Sequence, residues 1–208
     1  MTGTAAPASR AGTLPLVGGV LALDFCNTSS GRASEGHQEH LRRAADLLLW
    51  AGHAGILDAD AAARLKKACA DDVFAADLLR RALALREAIY RLNADLAAGG
   101  TPMQADIDIV AGTHAACLAK GRLTNREGGF GWSWDVDAAG AEATLGPIAA
   151  SAMAVITAAD KARLKQCHGH HCGWLFLDTT KSNNRRWCEM EVCGNRAKQQ
   201  RRRGRLSA

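Results

Sequence analysis

Apolar positions along the chain change spacing twice, and the changes divide it into three stretches. From about 38 to 52, Leu41, Ala44, Ala45, Leu48 and Leu49 recur at helical intervals, and Gly52 and Gly55 close that segment. Asp58 is placed to cap a helix over about 59–70. The clearest helix runs over about 73–98, where Leu78, Leu79, Ala82, Leu83, Leu85, Ile89 and Leu92 make one apolar face before Gly99 and Gly100 stop it. Another is expected near 103–119. Upstream, the run GGVLALDFCNT (18–28) predicts a short buried strand broken by Asp24.

The period then shifts to two. Phe130, Trp132 and Trp134 alternate within a strand over about 123–136, with Gly128, Gly129 and Gly131 marking a turn before it. An Ala-rich helix over about 138–159 follows, and Pro147 predicts a kink or break inside it. The last stretch alternates again at Trp174, Leu175, Phe176 and Leu177. It is expected to return along Arg185 to Cys188 as the second strand of a ribbon, with turn residues TTKSNN (179–184) between.

That ribbon separates two cysteine pairs of identical spacing, Cys167-x4-Cys172 and Cys188-x4-Cys193. Two short turns held apart by an antiparallel ribbon can bring four sulfurs to one point, which is the ligand set of a structural zinc ion. Cys193 is expected to open a helix from Gly194, a treble-clef-like order in which the helix N-terminus favours the thiolate. His168, His170 or His171 could replace a sulfur, so a three-sulfur, one-imidazole set stays open. Cys26, Cys69 and Cys117 lie in apolar surroundings and read as buried free thiols. No secretory signal or membrane span is visible, which points to a reducing cytoplasm where paired cysteines hold metal rather than form disulfides.

Charge sharpens this picture. The net charge over 208 residues is +5, yet residues 161–208 hold twelve Lys/Arg against three Asp/Glu, and the rest of the chain is net acidic. A local positive excess beside a metal site points to a polyanion partner. The 48% hydrophobic content excludes a disordered chain. The expected class is mainly α (α+β): a flexible tail over 1–17, a helical domain with a few short strands over 18–160, and a treble-clef-like zinc finger of β-hairpin and helix over 161–208.

The run from Cys167 to Lys198, with CGWLFLDTT, RRWC and Cys193-Gly194-Asn195-Arg196 in order, resembles the CGNR zinc finger. Thr180 stands where that family usually has Ser, and the hydroxyl is kept. Upstream, Leu23-Asp24-Phe25-x-Asn27-Thr28, the segment Leu85 to Tyr90, Trp132-x-Trp134 and the Ser151-Ala152 helix are similar to the ABATE-type domain. That domain precedes this finger in bacterial proteins described as stress-induced transcription regulators. The resemblance implies zinc, DNA binding and a regulatory role.

On this reading Arg196, Gln199, Gln200 and Arg203 share one helix face suited to base edges, while Lys198, Arg201, Arg202 and Arg205 meet phosphates together with Arg185 and Arg186. Asn195 either joins them or braces the metal turn. Asp24, Asn27, Thr28, Arg86, Trp132 and Trp134 form a candidate small-molecule pocket. Their plainer roles are strand-end hydrogen bonds, a buried ion pair involving Arg86 and Glu87, and core packing. There is no Gly-rich phosphate loop, nucleophile elbow or His-Glu hydrolase helix, so nothing calls for an enzyme. Double-stranded DNA is the expected partner, with a small-molecule effector and a homodimer as further expectations. The alternatives are an RNA-binding zinc protein, and a small-molecule-binding domain whose finger only holds another protein.

Overall fold

Short polar side chains set where the helices begin. The structure, a computed structural model, describes residues 9–32, 34–158 and 160–206. A 3-10 turn at Ala11–Thr13 precedes α1 (Leu21–Cys26), and the short strands β1 (Ser29–Ser30) and β2 (Gln38–Glu39) pair antiparallel. Then come α2 (Ala44–His53), α3 (Ala59–Ala68), α4 (Asp72–Ala97) and α5 (Gln104–Leu118). Asp58 caps α3 by accepting from the Ala61 amide at 2.7 Å, and Asp71 caps α4 by accepting from the Val73 amide at 2.9 Å. The hairpin of β3 (Arg122–Arg126) and β4 (Gly129–Ser133) leads to α6 (Val136–Ala139) and α7 (Glu142–Thr157). A 3-10 turn at Lys161–Arg163 enters β5 (Leu164–Gln166), which pairs antiparallel with β6 (Leu175–Leu177). A π-helical turn at Met190–Gly194 then runs into α8 (Asn195–Leu206). The protein is mainly α with paired short strands, and no helix among the described residues is long and apolar enough to cross a membrane.

Several elements differ from expectation, each for a local reason. The segment expected as a strand at 18–28 is the helix α1. Asp24 reaches back from it to accept the Gly18 amide at 2.7 Å, and a Cβ on Gly18 would lie 2.7 Å from the Asp24 nitrogen. Short apolar runs carry no period that separates helix from strand, so this polar contact decides. Helix α2 starts at Ala44 rather than near 38, because Asp46 accepts the Arg42 and Arg43 amides, each at 3.0 Å, and Gln38–Glu39 is drawn into β2. Helix α7 runs through Pro147 without a break. The break falls at Gly140, whose φ of +63° ends α6. Of the tail expected over 1–17, residues 1–8 lie outside the described residues. The remainder is packed, with Ala11 fully buried and Leu14 at 4% exposure.

The core of the N-terminal domain is built by α1, α4, α5 and α7, with α2 laid across α4. Leu85 and Ile89 of α4 are buried in one cluster with Leu145, Ile148 and Ala152 of α7, and Phe25 packs on Trp50 with ring centroids 5.1 Å apart. A smaller apolar cluster joins the two parts of the chain: Leu23 of α1, Leu164 of β5 and Leu175 of β6 are buried together beside Tyr90 and Ala94 of α4.

Polar groups fix the register of that seat. Asn27 donates Nδ2 to the Leu175 carbonyl at 2.9 Å and accepts the Leu175 amide at 3.0 Å. Tyr90 donates to the Gly173 carbonyl at 3.0 Å, Trp174 Nε1 to the Ser29 carbonyl at 3.2 Å, and the Leu177 amide to the Gly18 carbonyl at 2.8 Å. Because the Asn27 pair is buried, truncation leaves a backbone donor and acceptor unpaired. Asn27→Ala is expected to destabilise the zinc-loaded protein by about 1–3 kcal/mol in urea unfolding, and an unchanged midpoint would show that the bracket carries no stability.

Candidate metal centre

The cysteine turns form because small residues let the chain fold back on itself. Cys167 and Cys172 lie in the loop between β5 and β6, and a Cβ on Gly169 would come within 3.1 Å of Cys172 Cβ and 3.2 Å of Cys193 Sγ. Cys188 follows the loop after β6, and Cys193 sits in the π-helical turn that opens α8. The ribbon therefore differs from expectation. β6 pairs with β5, not with 185–188, because the chain after Asp178 is diverted.

Asp178 is fully buried, and it accepts the Thr180 amide at 2.9 Å, the Arg185 amide at 2.7 Å and the Lys165 ammonium at 2.7 Å. Burial alone would raise its carboxyl. The Lys165, Thr180 and Arg185 donors outweigh that and hold it well below the usual carboxylate range. The His168 amide then donates to the Arg186 carbonyl at 3.0 Å, which brings the second cysteine turn against the first.

Four sulfurs converge as a result. The Sγ atoms of Cys167, Cys172, Cys188 and Cys193 all lie within 4.8 Å of one another, with Cys172–Cys188 and Cys188–Cys193 each at 3.6 Å. Tetrahedral zinc with Zn–S bonds of about 2.3 Å sets its sulfurs about 3.8 Å apart, so the spacing fits. No histidine joins the cluster among the described residues: His170 and His171 contact each other, and His168 faces the Trp187 ring. The set is all-thiolate.

The electrostatics also call for a cation. Thiol donation from Cys172 and Cys188, and amide donation from Cys188 and Gly169, hold Cys167 far below the ordinary thiol range. Its proximity pushes Cys172 up to about 12, and Cys188 is pushed up as well. A divalent ion at the centre would favour ionisation of all four. The buried free thiols behave differently, as desolvation drives Cys26 up to about 12 and Cys117 to about 11.

The cations around the centre divide into two groups. Arg185 was expected at a phosphate, but it turns inward. Its guanidinium lies 4.3 Å from the Phe176 ring centroid and donates to the carbonyls of Trp187 at 3.0 Å, Val17 at 3.1 Å, and Cys188. Asn195 braces the π-helical turn by donating to the Glu191 carbonyl at 3.0 Å. Arg186, Arg196, Lys198, Gln199, Arg201, Arg202 and Arg203 are exposed; the side chain of Arg205 lies outside the described residues. Three of them, Arg186, Arg196 and Arg201, line a concavity of about 300 Å³ between the first cysteine turn and α8, together with Gln200 and no carboxylate.

The residues expected to line a pocket in the N-terminal domain occupy separate settings. Asp24 holds Gly18, with burial raising its carboxyl to about 6 against the Gly18 hydrogen bond. Asn27 binds Leu175, and Thr28 accepts from Arg86 at 3.2 Å. Arg86, 3% exposed, donates to Glu39 at 2.7 and 2.5 Å and to Glu87 at 2.9 Å, and Glu87 pairs in turn with Arg32 at 2.6 Å. Trp134 donates to the Cys117 carbonyl at 2.7 Å, while Trp132 is 41% exposed. None of the six lines the concavity between the first cysteine turn and α8.

The comparisons with known proteins agree with this arrangement. The family model for ABATE, described as "Putative stress-induced transcription regulator", matches residues 19–159. The chain belongs to the ABATE family. The CGNR zinc finger model matches residues 163–206, which contain the four clustered cysteines of a structural zinc site, and neither family is an enzyme family. A search of curated proteins finds no match.

Sequence reasoning passed over Asp178 as the organiser of this finger. The Asp-Thr-Thr run carried the signal, since an Asp followed two residues later by Thr is an Asx-turn pattern. One zinc per chain is expected. Cys188→Ser should abolish stoichiometric binding, whereas Cys69→Ser should keep it. Chelation should shift the fluorescence of Trp174 and Trp187 to the red while the helical circular dichroism of the N-terminal domain persists. Retention of tight zinc by Cys188→Ser would exclude this centre.

Proposed function

We propose that the protein is a zinc-dependent, DNA-binding transcription regulator of the cytoplasm. Its N-terminal domain senses a small molecule or mediates dimerisation, and it carries out no catalysis. The observation that carries this reading is the concavity beside α8, where three guanidiniums and an amide converge without a carboxylate. A four-thiolate zinc ion carries a formal −2, so the excess of nine positive charges over 161–208 falls to about +7, still strongly cationic. Local charge of this density attracts a polyanion through counterion release.

Helix α8 has twelve residues, which makes it about 18 Å long. That length suits entry into a major groove about 12 Å wide. Gln199 and Gln200 are then placed for base edges, and Arg186, Arg196, Lys198, Arg201 and Arg202 for phosphates. RNA is less well served. Trp174 is tied to Ser29, and both Trp174 and Trp187 pack against the sulfur cluster, so neither offers a free stacking platform.

About five phosphate contacts give a log–log salt slope of roughly −4.5. The expected outcome is that slope for the zinc-loaded protein on duplex DNA, falling by about 0.9 with Arg201→Ala and lost on chelation. A slope near zero, or tighter binding to structured RNA than to duplex in direct competition, would overturn the reading.

A further inference from the structure

A second concavity lies on the other side of Arg196. It encloses about 390 Å³ and is walled on one side by the finger, through His171, Trp174, Glu189 and Arg196. The facing wall belongs to the N-terminal domain, through Arg10 and Gln38. Arg196 lines both concavities, as do His171, Cys172 and Cys193, so the two are adjacent. We infer that this second concavity holds a phosphate of the bound DNA backbone between Arg196 and Arg10, so that the N-terminal domain itself contributes to the nucleic-acid interface.

Arg10 is placed for this by its neighbours. Its carbonyl accepts the Thr13 amide at 2.9 Å and the Thr13 hydroxyl at 3.2 Å. Ala11, the next residue, is fully buried, and Ser9 donates to the His40 carbonyl at 3.1 Å. The backbone at Arg10 is therefore anchored, while its side chain is exposed and no carboxylate among the described residues pairs with it.

The chemistry selects a backbone phosphate over a small anion buried in the cleft. Cys172, Cys188 and Cys193 form part of the floor, and the formal −2 of the zinc-thiolate centre repels an anion that sinks toward it. Glu189 is the one carboxylate in the lining and has the same effect. The lining holds two guanidiniums against the one carboxylate of Glu189, a balance that favours a phosphodiester passing across the mouth of the cleft. B-DNA carries one charge per about 1.7 Å of axis, so a strand that meets the first concavity has phosphates to spare for the second.

This inference rests on the DNA reading, and the experiment separates the two. Full-length zinc-loaded protein is titrated onto two unrelated duplexes between low and moderate salt, as parent, Arg10→Ala, Arg10→Lys, Arg201→Ala and, as a control on α3, Lys67→Ala. Arg10→Ala is expected to flatten the slope by about 0.9 and to weaken binding equally on both duplexes. Arg10→Lys restores the slope, Lys67→Ala leaves it alone, and thermal melting confirms that each variant folds. If Arg201→Ala flattens the slope and Arg10→Ala does not, the second seat is wrong and DNA binding stands. If the parent slope is near zero, both fall. If Arg10→Ala keeps the parent slope but abolishes thermal stabilisation by millimolar inorganic phosphate, the cleft takes a free anion and the backbone seat is overturned.

Discussion

Four sulfurs that repel one another once ionised must share a space in which all of their Sγ atoms lie within 4.8 Å of one another. That requirement organises the C-terminal part of the chain. Gly169 leaves room for the first turn, the amides of Gly169 and Cys188 point at Cys167 Sγ, and Arg185 covers the carbonyls of the second turn. A segment of this size buries too little apolar surface to hold such a geometry by itself. The metal supplies the attraction that closes it, and α8 begins where the last sulfur fixes its first turn.

The finger nonetheless does not stand alone. β5 and β6 bury Leu164 and Leu175 against α1 and α4, and a set of backbone-directed hydrogen bonds from Asn27, Tyr90 and Trp174 fixes their register. Behind this seat, the buried Arg86 is balanced by Glu39 and Glu87. Burial opposes ionisation of both carboxyls, and their arginine partners overcome it and hold them below their usual range. Arg32 extends the network to the Tyr90 ring, 3.9 Å from its centroid, and so to the finger. Charge pairing, apolar burial and metal binding act on one continuous surface.

Much of this was legible in the residues. Helix α4 followed from its 3.6-residue apolar face and helix α3 from Asp58 at a cap position, because local hydrogen bonds and local spacing decide those elements. The convergence of the four cysteines was legible because coordination demands a fixed ligand type at a fixed spacing. What escaped depended on partners distant in sequence. Arg185 turned inward to meet Val17, 168 residues away. Asn27, expected at a pocket, serves Leu175 at a separation of 148 residues. Spacing rules carry no information about such pairs.

The Asn27 bracket has a consequence for modularity. Fingers of this size are often treated as portable cassettes that can be grafted between hosts. Here the outer surface of the cassette is apolar where it meets α1 and α4, and its strand carries an amide and a carbonyl already spoken for by a side chain of the preceding domain. Severed from that domain, the cassette would bare a greasy flank and two thirsty backbone groups, and its helix would lose the bearing it takes from the host. The two parts are better regarded as one machine with a seam than as two interchangeable units.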